Sequence, residues 1–224
     1  MTLVTVAHGT RNPTGNAVAQ EITAAAGARL GMPAVASYVE LCEPLFADVV
    51  AGLTAPAVAV PLLLSTGYHV RHDLPAAVAG AGAPVVLGGP LGPDPFLAVA
   101  LADRLSAAGG APGQPVVLVA AGSTDPAALD DLEAAARLLG EAWGAPVRLA
   151  TLSGLGERPA DVVRPGDAVA PYLLAPGFFA GRARVESLRA GAEVVADVIG
   201  VHDRVVELVC RRARRLLDGS RASA

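Results

Sequence analysis

A chain of 224 residues with a formal net charge of −4 has no basic excess for a nucleic-acid partner. Its 53% hydrophobic content is enough for a sizeable core. The longest apolar run, APAVAVPLLL at residues 55–64, contains prolines and falls far short of the ~20 residues of a membrane span. Two cysteines without CxxC spacing indicate neither a disulfide framework nor a zinc cluster.

In chain order, apolar runs rich in β-branched residues occupy 3–7, 34–41, 57–64 and 84–88, and each leads into an alanine-rich helical stretch. The order repeats at 116–121, 147–153, 168–175 and 193–199. Hydrophobicity that is continuous rather than alternating marks strands buried on both faces, as in parallel sheets. The segment LGERPADVVRPG, after the second strand of the second set, is proline-rich, so its helix is expected to be short. The fold class expected is α/β, two duplicated domains each with a parallel sheet flanked by helices. GGAPGQP at 109–115 has linker composition, which places the domains at 1–112 and 113–224. The N-terminus leads directly into a strand with no basic and apolar leader, so cytoplasmic residence is expected.

The two sets are copies. LVTVAHGTRNP from Leu3 returns as VVLVAAGSTDP from Val116, and AVAVPLLLSTGYHVR at 57–71 returns as AVAPYLLAPGFFAGR at 168–182. Strand, glycine, hydroxyl residue and proline survive in both, whereas His8 becomes Ala121 and His69 becomes Phe179. Chemistry kept in one copy and erased from the other assigns a site to the first. Ligands in open parallel sheets sit beyond the carboxyl ends of the strands. There His8 ends the first strand, Glu40 and Glu43 follow the second, and His69, Arg71 and His72 follow the third. Strands ~4.8 Å apart bring such side chains together, and two imidazoles with a carboxylate suit a first-row transition metal. Glu43, ahead of Pro44, looks more like a helix-start residue, and His72 reads equally as an exposed first-turn residue.

VAHGTRNPTGN, VELCEP and PLLLSTGYHVRHDLP together resemble the sirohydrochlorin chelatase family of class II tetrapyrrole chelatases, and the resemblance spans the chain. It implies two chelatase-like domains and insertion of a divalent metal into sirohydrochlorin, Fe2+ for siroheme or Co2+ for cobalamin, with Ni2+ also compatible with the ligand types. On it, His8 and His69 take the metal-binding and catalytic places and Glu40 that of the assisting carboxylate, with Glu43 one turn away. No prosthetic group is expected, since the metal is a substrate. Arg11, Arg71 and His72, with Arg182 in the matching loop of the second copy, are candidates to meet the substrate's carboxylates. The second half is expected to wall the substrate cleft with Phe178 and Phe179, unless these rings only fill the space of the lost histidine. A duplication can replace a homodimer of short chains, so a monomer is expected. The alternative function is a noncatalytic metal- or tetrapyrrole-binding carrier.

Overall fold

Asn12 ends the first turn and starts the first helix for a local reason. Its side chain accepts from the Thr14 amide and Pro13 occupies the first helical turn, where its missing N–H costs nothing. Asp125 and Pro126 do the same in the second copy, Asp125 accepting from the Ala127 amide. Both helices stop at a left-handed glycine, Gly31 and Gly144.

The computed structural model describes residues 1–222. Strands β1 (Thr2–Ala7), β2 (Ala34–Tyr38), β3 (Ala57–Pro61) and β4 (Val85–Leu87) form one parallel sheet in the order β2-β1-β3-β4. Strands β5 (Val116–Ala120), β6 (Val147–Thr151), β7 (Ala168–Tyr172) and β8 (Val194–Val195) form a second in the order β6-β5-β7-β8. Helices α1 (Pro13–Leu30), α2 (Phe46–Ala51), α3 (Leu74–Ala79) and α4 (Pro95–Ala107) belong to the first repeat, and α5 (Pro126–Trp143), α6 (Pro159–Val162), α7 (Phe178–Arg189) and α8 (Asp203–Ala222) to the second. The expected α/β class with duplicated parallel sheets is what the chain adopts. The helix in the proline-rich connection, α6, is as short as expected, and β8 is shorter than its apolar run.

The register fixes the equivalence of the copies. Val6 pairs with Pro61 and Val119 with Pro171, while Val4 pairs with Val35 and Val117 with Arg148. His8, Glu40 and His69 therefore correspond to Ala121, Ser153 and Phe179.

The compact units do not follow the repeat boundary expected at residues 112 and 113. One unit comprises Met1–Leu91 with Val201–Ala224, the other Gly92–Gly200. The last helix of each repeat is exchanged. In the first unit α8 packs on α1, β3 and β4; its Arg29–Asp203 ion pair measures 2.7 Å, and the buried Cys210 thiol faces the Ala26 carbonyl at 3.8 Å. In the second unit α4 buries Leu97, Leu101 and Leu105 and packs on α5 and β7. On the other face of the first sheet, Val4, Val6, Ala57 and Ala59 meet Phe46, Val50 and Leu74 of α2 and α3.

Docking of α8 can be read chemically. Burial pushes the Cys210 thiol above its ordinary range, the largest of several influences, and the side chain is inaccessible. Iodoacetamide should therefore modify Cys42, which is only partly buried, well before Cys210 in the folded chain, and Cys210 only on unfolding, as followed by peptide mass spectrometry.

Candidate metal centre

The order β2-β1-β3 puts the switch point of the first sheet at β1, because the chain passes from β1 to β2 on one side and then crosses to β3 on the other. The ladder continues past the strand ends. The Val39 amide donates to the Ala7 carbonyl at 2.9 Å, Glu40 to His8 at 3.1 Å, and Leu62 to Val6 at 2.8 Å. These bonds carry Glu40 alongside His8. Between them Gly9, at φ +92°, lies so close to the Glu40 carbonyl oxygen that a Cβ would collide with it. Gly122, at φ +88°, meets the Ser153 carbonyl in the same way. The glycines retained in both copies thus serve the backbone crossing.

The turn after His8 is fastened from α1. Asn16 accepts from the Thr10 amide at 3.0 Å and donates to the Thr10 carbonyl at 2.7 Å, while Thr10 Oγ1 accepts from the Asn12 amide. The buried Tyr38 hydroxyl donates to the Asn16 carbonyl at 3.0 Å, tying the end of β2 to the same helix.

At this edge His8, Glu40 and His69 each offer a ligand atom, all within 4.8 Å of one another. His8 Nε2 stands 3.6 Å from Glu40 Oε1, and the two imidazole centroids are 4.9 Å apart, edge to face. Ligands about 2.1 Å from a tetrahedral ion would be about 3.4 Å apart, so the spacing suits a shared metal after small side-chain movements. Both Nδ1 atoms are engaged elsewhere. His8 Nδ1 donates to the Gly9 carbonyl at 3.2 Å, and His69 Nδ1 to Asp73 Oδ2 at 2.6 Å. Carbonyl and carboxylate oxygens only accept, so each Nε2 keeps its lone pair. The side chains of His8 and Glu40 remain about half exposed, at 49% and 52%.

Glu43 does not join this group. Its carboxylate accepts from the Leu45 amide at 3.1 Å, just ahead of α2, which is the helix-start role its sequence position allows. Cys42 is not among the converging ligand atoms; burial pushes its thiol above the ordinary range, a backbone hydrogen bond from Thr10 opposes this, and the charge of Glu43 adds to it. Arg11 is exposed in the turn after His8, and Arg71 and His72 are exposed in the segment after β3, where the His72 ring lies 4.7 Å from that of Tyr68. Arg182 belongs to the second unit. There it donates to Glu186 and to the Leu152 carbonyl and lies 5.8 Å from the centre of the Phe178 ring. The sequence reading missed Asp73; its spacing of four residues from His69 was the available signal.

The matching edge of the second copy is occupied by structure. Ser153 Oγ donates to the Ala121 carbonyl at 2.7 Å, and Arg158 fills the neighbouring loop with bonds to Thr151, Gly154 and Gly156. Leu41, at φ +68°, corresponds to Gly154 at φ +65°. A leucine thus holds a left-handed conformation next to Glu40, where the second copy uses the residue that adopts it without strain.

Comparison with known proteins matches the model of the CbiX family twice, over residues 2–108 and 115–216. A sirohydrochlorin ferrochelatase of Priestia megaterium is 27% identical over 204 residues, covering 80% of this chain and 76% of that protein. Among solved structures, SirB from Bacillus subtilis with Fe3+ superposes with a TM-score of 0.83 at 26% identity, covering 99% of this chain and 97% of that one. SirB from Bacillus subtilis subspecies spizizenii in complex with cobalt has a TM-score of 0.80 at 23% identity with the same coverage, a likeness of fold.

Two outcomes follow from the geometry. Glu40→Gln should weaken Co2+ binding by more than about tenfold, whereas Glu43→Gln should leave it within about twofold, because its carboxylate serves a backbone amide; anaerobic titration followed by absorbance separates them. Restoring Ala121→His with Phe179→His should add one weak Co2+ site to the wild-type stoichiometry, with little gain in insertion rate because Ser153 supplies no carboxylate.

Proposed function

The chain belongs to the CbiX family, and on that premise we propose that it is a sirohydrochlorin chelatase, a lyase that inserts Fe2+ or Co2+ into the tetrapyrrole with His8, Glu40 and His69 as its metal-handling residues. The observation that carries this reading is the convergence of two Nε2 lone pairs and one carboxylate at the switch point of the first sheet.

The chemistry asks for little else. Insertion places the metal on the pyrrole nitrogens and releases two pyrrole N–H protons. Three side chains, two of them about half exposed, leave coordination positions for water and then for pyrrole nitrogens, so the ion can be surrendered. As the metal leaves, each freed imidazole or the Glu40 carboxylate can take a proton from the macrocycle. Neutral imidazole and carboxylate suit iron, cobalt and nickel, so the ligand set defines the class of ion rather than one member. Arg11, Arg71 and His72 on the same unit are the proposed partners of the substrate's carboxylates, whereas Arg182 lies in the second unit with its guanidinium shared with Glu186.

No helix among the described residues is long and apolar enough to cross a membrane. Cytoplasmic action as a monomer completes the proposal, in keeping with two free cysteines, and size-exclusion chromatography with light scattering checks the oligomeric state.

The experiment is anaerobic incubation of sirohydrochlorin with Fe2+ or Co2+ at catalytic protein concentration, followed by absorbance. Product should continue to form past one equivalent of protein, whereas saturation at one equivalent would identify a carrier. His8→Ala and His69→Ala should each abolish insertion while keeping a cooperative melting transition, since both side chains stand at strand ends outside the core. Loss of the transition would assign them to structure instead.

A further inference from the structure

We propose that Asp73 is the positioning residue of His69, holding its imidazole in the Nδ1–H tautomer so that the Nε2 lone pair faces the metal; the inference rests on the proposed role of His69 as a ligand. His69 Nδ1 and Asp73 Oδ2 are 2.6 Å apart, and neither oxygen of a carboxylate can donate. The proton of the pair sits on Nδ1 and the remaining lone pair on Nε2. Metal-bound histidines are commonly oriented in this way by a carboxylate behind the ring.

The backbone is shaped for the pair. Residues His69–Asp73 form a π-turn, closed by the Leu74 amide donating to the His69 carbonyl. A π-turn is rare and recurs at functional sites. It sets the first and last residues of HVRHD on one face, within hydrogen-bond reach. The corresponding stretch of the second copy is regular α-helix from Phe178. There His69 is replaced by Phe179, and the residue four positions on is Ala183, fully buried. Histidine, carboxylate and π-turn are absent from that copy together, as expected of parts that serve one purpose.

A purely structural role accounts poorly for Asp73. Its side chain is 40% exposed, and an ion pair so placed contributes little to stability. Direct ligation is also the weaker reading, because the three side chains whose ligand atoms converge are His8, Glu40 and His69. The two imidazoles differ in consequence. His8 is held by a neutral backbone carbonyl at 3.2 Å and His69 by a carboxylate, which makes His69 the stronger donor of the two.

The test compares wild type with Asp73→Ala, Asp73→Asn and Asp73→Glu, reading Co2+ affinity by anaerobic titration and the His69 tautomer by 15N NMR of histidine-labelled protein. Asp73→Ala should weaken Co2+ binding about 10–100-fold and shift His69 to a mixture of tautomers. It should raise KM for the metal while leaving KM for the tetrapyrrole unchanged. Asp73→Glu should recover part of the affinity. Wild-type Co2+ affinity with an unchanged tautomer in Asp73→Ala would overturn the proposal. If Asp73→Ala fails to fold, the near-isosteric Asp73→Asn carries the measurement, and its failure to fold would assign Asp73 to structure and overturn the proposal as well. Undiminished Co2+ binding in His69→Ala would instead sink the ligand assignment on which the inference rests.

Discussion

At the carboxyl edge of the first sheet Gly9 lies so close to the Glu40 carbonyl oxygen that no side chain fits between them. With the His8–Glu40 and Ala7–Val39 hydrogen bonds, this approach continues parallel pairing beyond the strands proper. Two chain segments that would otherwise part at the switch point stay together for one more residue pair, and that pair is His8 and Glu40. The third proposed ligand, His69, arrives because β3 flanks β1 on its other side. A side chain at Gly9 would push the His8 and Glu40 segments apart.

The second copy shows how much of this is scaffold. Gly122 makes the same crossing, Ser123 and Asp125 build the same turn, and Pro126 starts the same helix. What differs is the outward layer. Ser153 turns its hydroxyl to a backbone carbonyl, Arg158 ties its loop together, and Phe178 and Phe179 pack edge to face, 5.5 Å apart. Backbone geometry is therefore shared by the two copies, and the converging group of His8, Glu40 and His69 belongs to the first.

An open ligand set suits the proposed surrender of the ion to a macrocycle. Three ligands leave coordination positions open, whereas a closed set of four would hold the ion as structure. Locking each Nδ1 with an acceptor removes the competing tautomer without adding a ligand.

Periodicity and internal comparison were enough to read much of this from the chain itself. Continuous apolar runs required strands buried on both faces, the prolines of LGERPADVVRPG announced a short helix, and the loss of His8 and His69 in the repeat set them apart from the turn residues around them. Three things were decided only in three dimensions. Glu40 and Glu43 are three residues apart, and only the path of the loop turned one toward the histidines and the other toward the Leu45 amide. Asp73 carries no mark in the sequence beyond standing four residues after His69, and the π-turn is what brings it to that ring. The exchange of α4 and α8 between units was invisible because an apolar helical face records that it must be covered and carries no record of which sheet covers it. Local chemistry is written in neighbouring residues, but partners far apart in sequence are chosen by the packing of the whole chain.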